Sequence, residues 1–163
     1  MKRMWMPKMR GRLAAWVLVG AFVALAASAA WAGVEPSPWR LRTAALNVVA
    51  QGLGAVDGRL QAVLAAPPVD GTVARLAVIA LELRAQEGIV QAVLAVPPDG
   101  NAPPEFFTAL GNVRAAAAGI ADQAGRGWGT PPTDGRVLDA LARVQGGAQD
   151  IVNTVDAYLA LKH

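Results

Sequence analysis

Apolar residues recur at alternating steps of three and four positions in four segments of the chain that follow Gly33. This spacing places the apolar side chains on one face of an α-helix, so it predicts four helices that each bury one row. The predicted rows, in chain order, are Leu46, Val49, Leu53, Val56, Leu60 and Val63; Leu76, Ile79, Leu83, Gln86, Val90 and Val93; Phe106, Leu110, Val113, Ala117, Ile120 and Ala124; and Val137, Leu141, Val144, Ala148, Ile151, Val155 and Tyr158.

Proline pairs mark the junctions between these segments. Proline has no N–H to donate and forces the residue before it out of the helical conformation, so each pair indicates that one helix stops and another begins. Short connections between four helices favour an all-α, antiparallel four-helix bundle over residues 33–163. The pairs are Pro67-Pro68, Pro97-Pro98, Pro103-Pro104 and Pro131-Pro132.

Polar residues that cap helices support two of these boundaries. Asp70 or Thr72 is available before the second helix, and Thr133 or Asp134 before the fourth. Side-chain oxygens at such positions accept hydrogen bonds from the free N–H groups of the first turn.

The second helix is apolar over more than one face, because Val78, Leu81 and Ile89 lie off its main row. A helix with so wide an apolar surface usually has a second neighbour, which a homodimer formed through the first and second helices would supply. The alternative interpretation is that these are ordinary apolar residues on a solvated surface.

The N-terminal segment has the pattern of a signal peptide over residues 1–32. Five basic residues precede an uncharged run from Leu13 to Ala32, and Ala30-Trp31-Ala32 supplies the small residues that signal peptidase requires. We therefore expect cleavage after Ala32 and export to the periplasm or its equivalent. An uncleaved membrane anchor is the alternative, since about 20 apolar residues can span a bilayer.

The positive charge of the chain is concentrated in that segment. The full sequence carries 15 basic and 12 acidic residues, and removal of the segment leaves ten basic residues against all twelve acids. The exported part is slightly acidic, so the composition argues against a nucleic-acid partner.

The exported part offers little chemistry. It has no cysteine or methionine. It has a single histidine, His163, and a single serine, Ser37, which are far apart in the sequence. Disulfides, thiolate or thioether metal sites and nucleophilic triads are therefore excluded. Two pairs of acids could approach each other, Glu82 with Glu87 and Asp57 with Asp122, but we expect them on the solvated surface. No catalytic residue and no metal site is predicted.

Glycines and glutamines both occur within the predicted helices. The glycines lie at positions 52, 54, 58, 88, 146 and 147, where each costs about 1 kcal/mol relative to alanine, so some are expected to permit close approach of two helices. Gln51, Gln86 and Gln149 form a small polar layer or face solvent.

The pattern of the first and last helices resembles the cytochrome c′ family. Arg42 to Val56, RTAALNVVAQGLGAV, is similar to the start of the family's first helix, and Phe106 and Phe107 are similar to the aromatic residue that enters its third helix. The end of the last helix, VQGGAQDIVNTVDAYLALK, is similar to the helix in which the family attaches haem through Cys-x-x-Cys-His.

The haem-attaching residues of that family are replaced here. The match puts Ile151 and Thr154 at the two cysteine positions, Val155 at the position of the iron-ligating histidine, and Leu46 over the open face of the haem. The resemblance therefore implies a bundle without haem or any other cofactor, and not an enzyme. It would bind a protein partner or a small apolar ligand in the former haem space; the alternatives are a haem-carrying electron-transfer protein and a structural subunit of a membrane complex.

Overall fold

The computed structural model describes residues 37–97 and 101–161, and this part of the chain consists of four α-helices and their connections without a β-strand. The predicted signal segment, residues 1–32, and His163 lie outside the described residues. The helices are α1 (Pro38–Leu64), α2 (Thr72–Leu94), α3 (Pro104–Arg126) and α4 (Gly135–Ala160). None of these four helices combines the length and the apolar character needed to cross a membrane. For the residues that the structure describes, the prediction of an all-α fold with four helices is confirmed.

Each helix buries the row that its sequence pattern predicts. Every position of the four rows is buried, and Gln86 is the one polar residue among them. The helices form a bundle whose core is almost entirely hydrocarbon, which supplies the main driving force for folding. Further buried residues beside the rows are mostly small, which lets neighbouring helices approach closely; they are Ala45, Thr72, Ala109, Ala121, Ala140 and Val152.

Specific side chains fix where the helices begin and end. Thr72 accepts a hydrogen bond from the N–H of Val69 through Oγ1 at 3.0 Å, across the turn before α2. Gly71 in that turn has φ +89°, a left-handed conformation that favours glycine. Asp134 caps α4 by accepting from the N–H of Arg136 at 2.9 Å. The predicted cap of α4 is therefore confirmed, and it is Asp134 and not Thr133. The predicted cap of α2 is wrong, because Gly71 occupies the cap position and neither Asp70 nor Thr72 caps the first turn.

Contacts between helices hold the bundle together along its length. α4 packs against both α2 and α3. Arg59 of α1 pairs with Glu82 of α2 at 2.6 Å. The Trp128 indole, in the connection between α3 and α4, donates to the carbonyl of Ala66, just after α1, at 2.7 Å. Hydrogen bonds at the ends and an ion pair nearer the middle therefore supplement the apolar core.

Gly52 of α1 leaves room for the side chain of Gln86 of α2. A Cβ at position 52 would lie 2.7 Å from Nε2 of Gln86, whose side chain is buried. Gln51 and Gln149 are exposed instead, so the three glutamines form no polar layer. Open space surrounds the point where a methyl group would stand at positions 54, 58, 88 and 146, so only some of the helical glycines serve packing.

The glycine contact can be tested with two variants of α1. Both Gly52→Ala and Gly54→Ala gain the helix propensity of alanine, about 1 kcal/mol, but only the first pushes its methyl group into Gln86. Overpacking of this kind costs about 1–3 kcal/mol. Urea unfolding should therefore show Gly52→Ala less stable than Gly54→Ala by roughly that amount. Equal stability of the two variants would mean that Gln86 moves aside without cost.

Candidate functional site

The four positions matched to the haem site lie in or beside the core. Leu46, Ile151 and Val155 have no exposed surface, so the predicted inward orientation on α1 and α4 is confirmed. Thr154 is partly exposed, and its hydroxyl donates to the backbone carbonyl of Asp150 at 2.8 Å, as expected for a threonine within a helix. The matched positions are therefore three enclosed aliphatic side chains and a hydroxyl already bonded to its own helix.

These residues do not fit a haem group. Covalent attachment needs two thiols and the iron needs an axial donor such as imidazole or thioether, whereas the side chains of Ile151 and Val155 are saturated hydrocarbon. The described residues contain no His, Cys or Met. Nor do three Asp or Glu residues gather as metal ligands within residues 37–97 and 101–161.

An arginine–aromatic cluster, made of Arg42, Phe106, Phe107 and Tyr158, closes one end of the bundle. Arg42 donates from Nε and Nη2 to the carbonyl of Val93 at 2.9 and 2.6 Å, and from Nη2 to that of Val96 at 2.7 Å. The last carbonyls of a helix lack partners within it and carry partial negative charge. Arg42 therefore stabilises the end of α2 from another helix.

The rings of the cluster pack around this guanidinium. Its carbon lies 5.2 Å from the centroid of the Phe106 ring, a cation–π arrangement. Phe107 and Tyr158 meet Phe106 edge to face, with centroids 5.6 and 6.1 Å away. The Tyr158 hydroxyl also donates a hydrogen bond to the backbone carbonyl of Val96 at 3.3 Å. The sequence marked Arg42 only as part of a family pattern; its carbonyl partners follow from the tertiary fold.

Asp156, two residues before Tyr158, is paired with α3. Arg114 makes two hydrogen bonds to its carboxylate, at 2.5 and 3.0 Å. These bonds, and to a smaller extent the positive charge of Arg114, hold the pKa of Asp156 below its usual range. Both side chains remain almost half exposed, so the pair joins the surfaces of α3 and α4 without enclosing a reactive carboxylate.

The four acids considered for chemistry each have another partner. Glu82 pairs with Arg59, and Asp122 with Arg126 one turn along α3. Glu87 accepts from Gln91. Asp57 accepts from Gln61 in the same way. The structure therefore places these carboxylates in ordinary surface interactions.

The outer surface of α2 is unusually apolar. Val78 and Leu81 are 54% and 65% exposed, and Ile89 is partly exposed. Six exposed positions follow each other at alternating steps of four and three, the same spacing as the buried row; they are Ala74, Val78, Leu81, Ala85, Gly88 and Ala92. α2 therefore carries a second apolar seam, which we call the outer seam.

A groove of about 460 Å³ lies between α2 and α4. Its apolar lining comes from Val73, Ala77, Ala80 and Leu81 of α2 and Ala140 of α4. None of the four positions matched to the haem site lines it. The sequence pattern missed this groove, because the residues from the two helices come together only in the folded chain.

The polar lining of the groove is mainly cationic. Arg84 comes from α2, and Arg136, Asp139 and Arg143 come from α4. Arg136 binds the capping carboxylate of Asp134, and this hydrogen bond is the main cause that lowers the pKa of that acid. Arg84 and Arg143 form no ion pair with the described residues. The groove therefore presents two guanidinium groups without an ion-pair partner among the described residues, together with the carboxylate of Asp139, beside an apolar surface.

The contribution of Arg42 is testable by substitution. Arg42→Gln removes the charged donor from the Val93 and Val96 carbonyls and is expected to lower the free energy of unfolding by about 1–3 kcal/mol. Arg75→Gln, on exposed α2 surface, is the control and should change stability little. Thermal and urea unfolding measure both. If the two variants lose the same stability, the carbonyl contacts of Arg42 contribute nothing specific.

The Arg114–Asp156 pair predicts a pH dependence. Because the folded-state pKa of Asp156 is lowered, the pair stabilises the fold above the unfolded pKa of an aspartate, about 4, and this contribution is lost as the pH falls through the folded value. Asp156→Asn should therefore lose a little stability at pH 7 and none at pH 2. Asp150→Asn, on the same helix, is the control. A larger loss for Asp156→Asn at pH 2 than at pH 7 would contradict the assignment.

No protein-family model, no curated protein and no solved structure matches the chain. The resemblance to cytochrome c′ therefore rests on residues of the chain itself, from Arg42 to Val56 and at the end of α4.

Proposed function

We propose that the chain is an exported, haem-free relative of the cytochrome c′ family, folded as an antiparallel four-helix bundle, that acts by binding and not by redox or catalytic chemistry. The observation that carries this proposal is the replacement of the haem-attaching residues by buried hydrocarbon. Ile151 and Val155 are fully enclosed on α4, at the positions where the family needs a thiol and an imidazole.

Several contacts support the antiparallel arrangement. Between α1 and α2, the early residue Arg42 meets the late residue Val93, and the late residue Arg59 meets Glu82. Between α3 and α4, Arg114 meets Asp156, while a Cβ at Gly127 would lie 3.1 Å from Leu141. In both pairs the sequence numbers rise on one helix as they fall on the other, which is the pattern of neighbours with opposite directions.

The outer seam is the surface proposed for binding, and a second copy of the chain is its proposed occupant. A helix that is apolar on both its inner and its outer face is typical of a helix buried on both sides. Alternating steps of three and four match the seam of a helix that packs against another helix. Because Ala74, Ala85 and Gly88 are small, two copies of α2 can approach closely, and one self-complementary patch satisfies both partners of a symmetric dimer.

The dimer can be tested with one charge on the seam. Val78→Glu should convert a dimer of the exported form, residues 33–163, into a monomer, because two carboxylates would be buried near the symmetry axis. Sedimentation equilibrium measures the mass, and the dissociation constant should rise at least about tenfold. Leu138→Glu, which changes another exposed leucine outside the seam, is the matched control.

The same purified protein provides the second readout. Isolated from the compartment to which it is exported, it is expected to show no Soret absorbance. A Soret band would overturn the haem-free half of the proposal. A monomeric parent protein, or a Val78→Glu variant that dimerises like the parent, would overturn the seam.

A further inference from the structure

We infer that the groove between α2 and α4 binds a free single-chain amphiphile with a carboxylate head group, that is, the anion of a fatty acid. This inference rests on the proposed binding function and assigns it a ligand class and a site distinct from the core. Its argument comes from the shape of the groove, from its apolar surface and from the charges beside that surface.

The shape of the groove suits an elongated apolar tail. The lining residues of α2 run from Val73 to Arg84, and at 1.5 Å per residue this is roughly 16 Å along the helix. A volume of about 460 Å³ lies within the range of small-molecule sites. Ala77, Ala80 and Ala140 have short side chains, so room remains between the two helices.

The apolar surface of the groove is accessible to a ligand. Leu81 is 65% exposed and Val73 is 36% exposed, although both are large aliphatic side chains. Covering such a surface is favourable in proportion to the apolar area removed from water. A hydrocarbon tail along Val73, Ala77 and Leu81 would therefore be stabilised by the hydrophobic effect.

The charges select the head group. Arg84 and Arg143 line the groove and have no carboxylate partner among the described residues, whereas Arg136 already binds Asp134. A guanidinium forms paired, charge-assisted hydrogen bonds with a carboxylate. Asp139 is the one acid of the lining, so the local charge favours an anion and opposes a cationic amphiphile.

Isothermal titration calorimetry of the exported form with dodecanoate, below its critical micelle concentration, tests this site. We expect saturable binding with one ligand per chain. Dodecyltrimethylammonium has the same tail with the opposite charge and should bind at least about tenfold more weakly. The double variant Arg84→Gln, Arg143→Gln should lose affinity for dodecanoate by a similar factor, whereas Arg75→Gln, Arg126→Gln, which removes two arginines outside the groove, should bind like the parent.

The tail contact has its own pair of variants. Leu81→Asn places a polar group in the groove and should weaken dodecanoate binding several-fold. Leu138→Asn changes an exposed leucine that does not line the groove and should leave the affinity unchanged. Circular dichroism confirms that each variant retains its helices before it is titrated.

The inference would be overturned by no saturable binding of dodecanoate, by equal binding of the cationic amphiphile, or by unchanged affinity in the Arg84→Gln, Arg143→Gln variant. Binding only to phosphatidylglycerol vesicles, and not to free dodecanoate, would also overturn it. These failures are distinguishable from failure of the proposed function, because the Soret spectrum and the Val78→Glu dimer measurement do not involve Arg84 or Arg143.

Discussion

The burial of one apolar row on each helix is the constraint on which the rest of the structure depends. Because the rows are hydrocarbon, backbone groups near the helix ends must find partners outside the core. Arg42 donates hydrogen bonds to carbonyls at the end of α2, and the Trp128 indole donates to the carbonyl of Ala66 just after α1. Both donors come from distant parts of the chain. The same contacts that satisfy the backbone therefore also tie the helices to one another.

Local pattern was enough to predict the helices, because a period of three and four positions depends only on which side of a helix faces water. It also predicted that Ile151 and Val155 point inward and that Asp134 or its neighbour caps α4. The pattern placed Gln86 in a buried row, but it did not reveal that this side chain would lie against Gly52, nor which carbonyls Arg42 would meet. Those outcomes depend on which helices become neighbours, and this information lies in no single segment.

The matched haem positions and the groove illustrate the same difference. Ile151, Thr154 and Val155 lie within five consecutive positions of α4, so a motif with fixed spacing locates them in the sequence. The groove combines Arg84 with Arg143, which are 59 positions apart in the sequence and belong to different helices. Its cationic character is visible only when α2 and α4 are side by side. A site built from two helices has no motif of fixed spacing in the sequence. The replacement of residues in a known motif, in contrast, can be recognised from the sequence alone.

α2 differs from a helix with one apolar face, since apolar residues occupy both its inner row and its outer seam. Its charged side chains are left to the flanks, where Glu82 pairs with Arg59 and Arg84 lines the groove. Leu81 belongs to both the outer seam and the groove lining. A ligand tail and a second copy of α2 would therefore share one side chain. Thermodynamic linkage then requires that each changes the affinity for the other by the same factor. The two proposed occupants would therefore be coupled through Leu81.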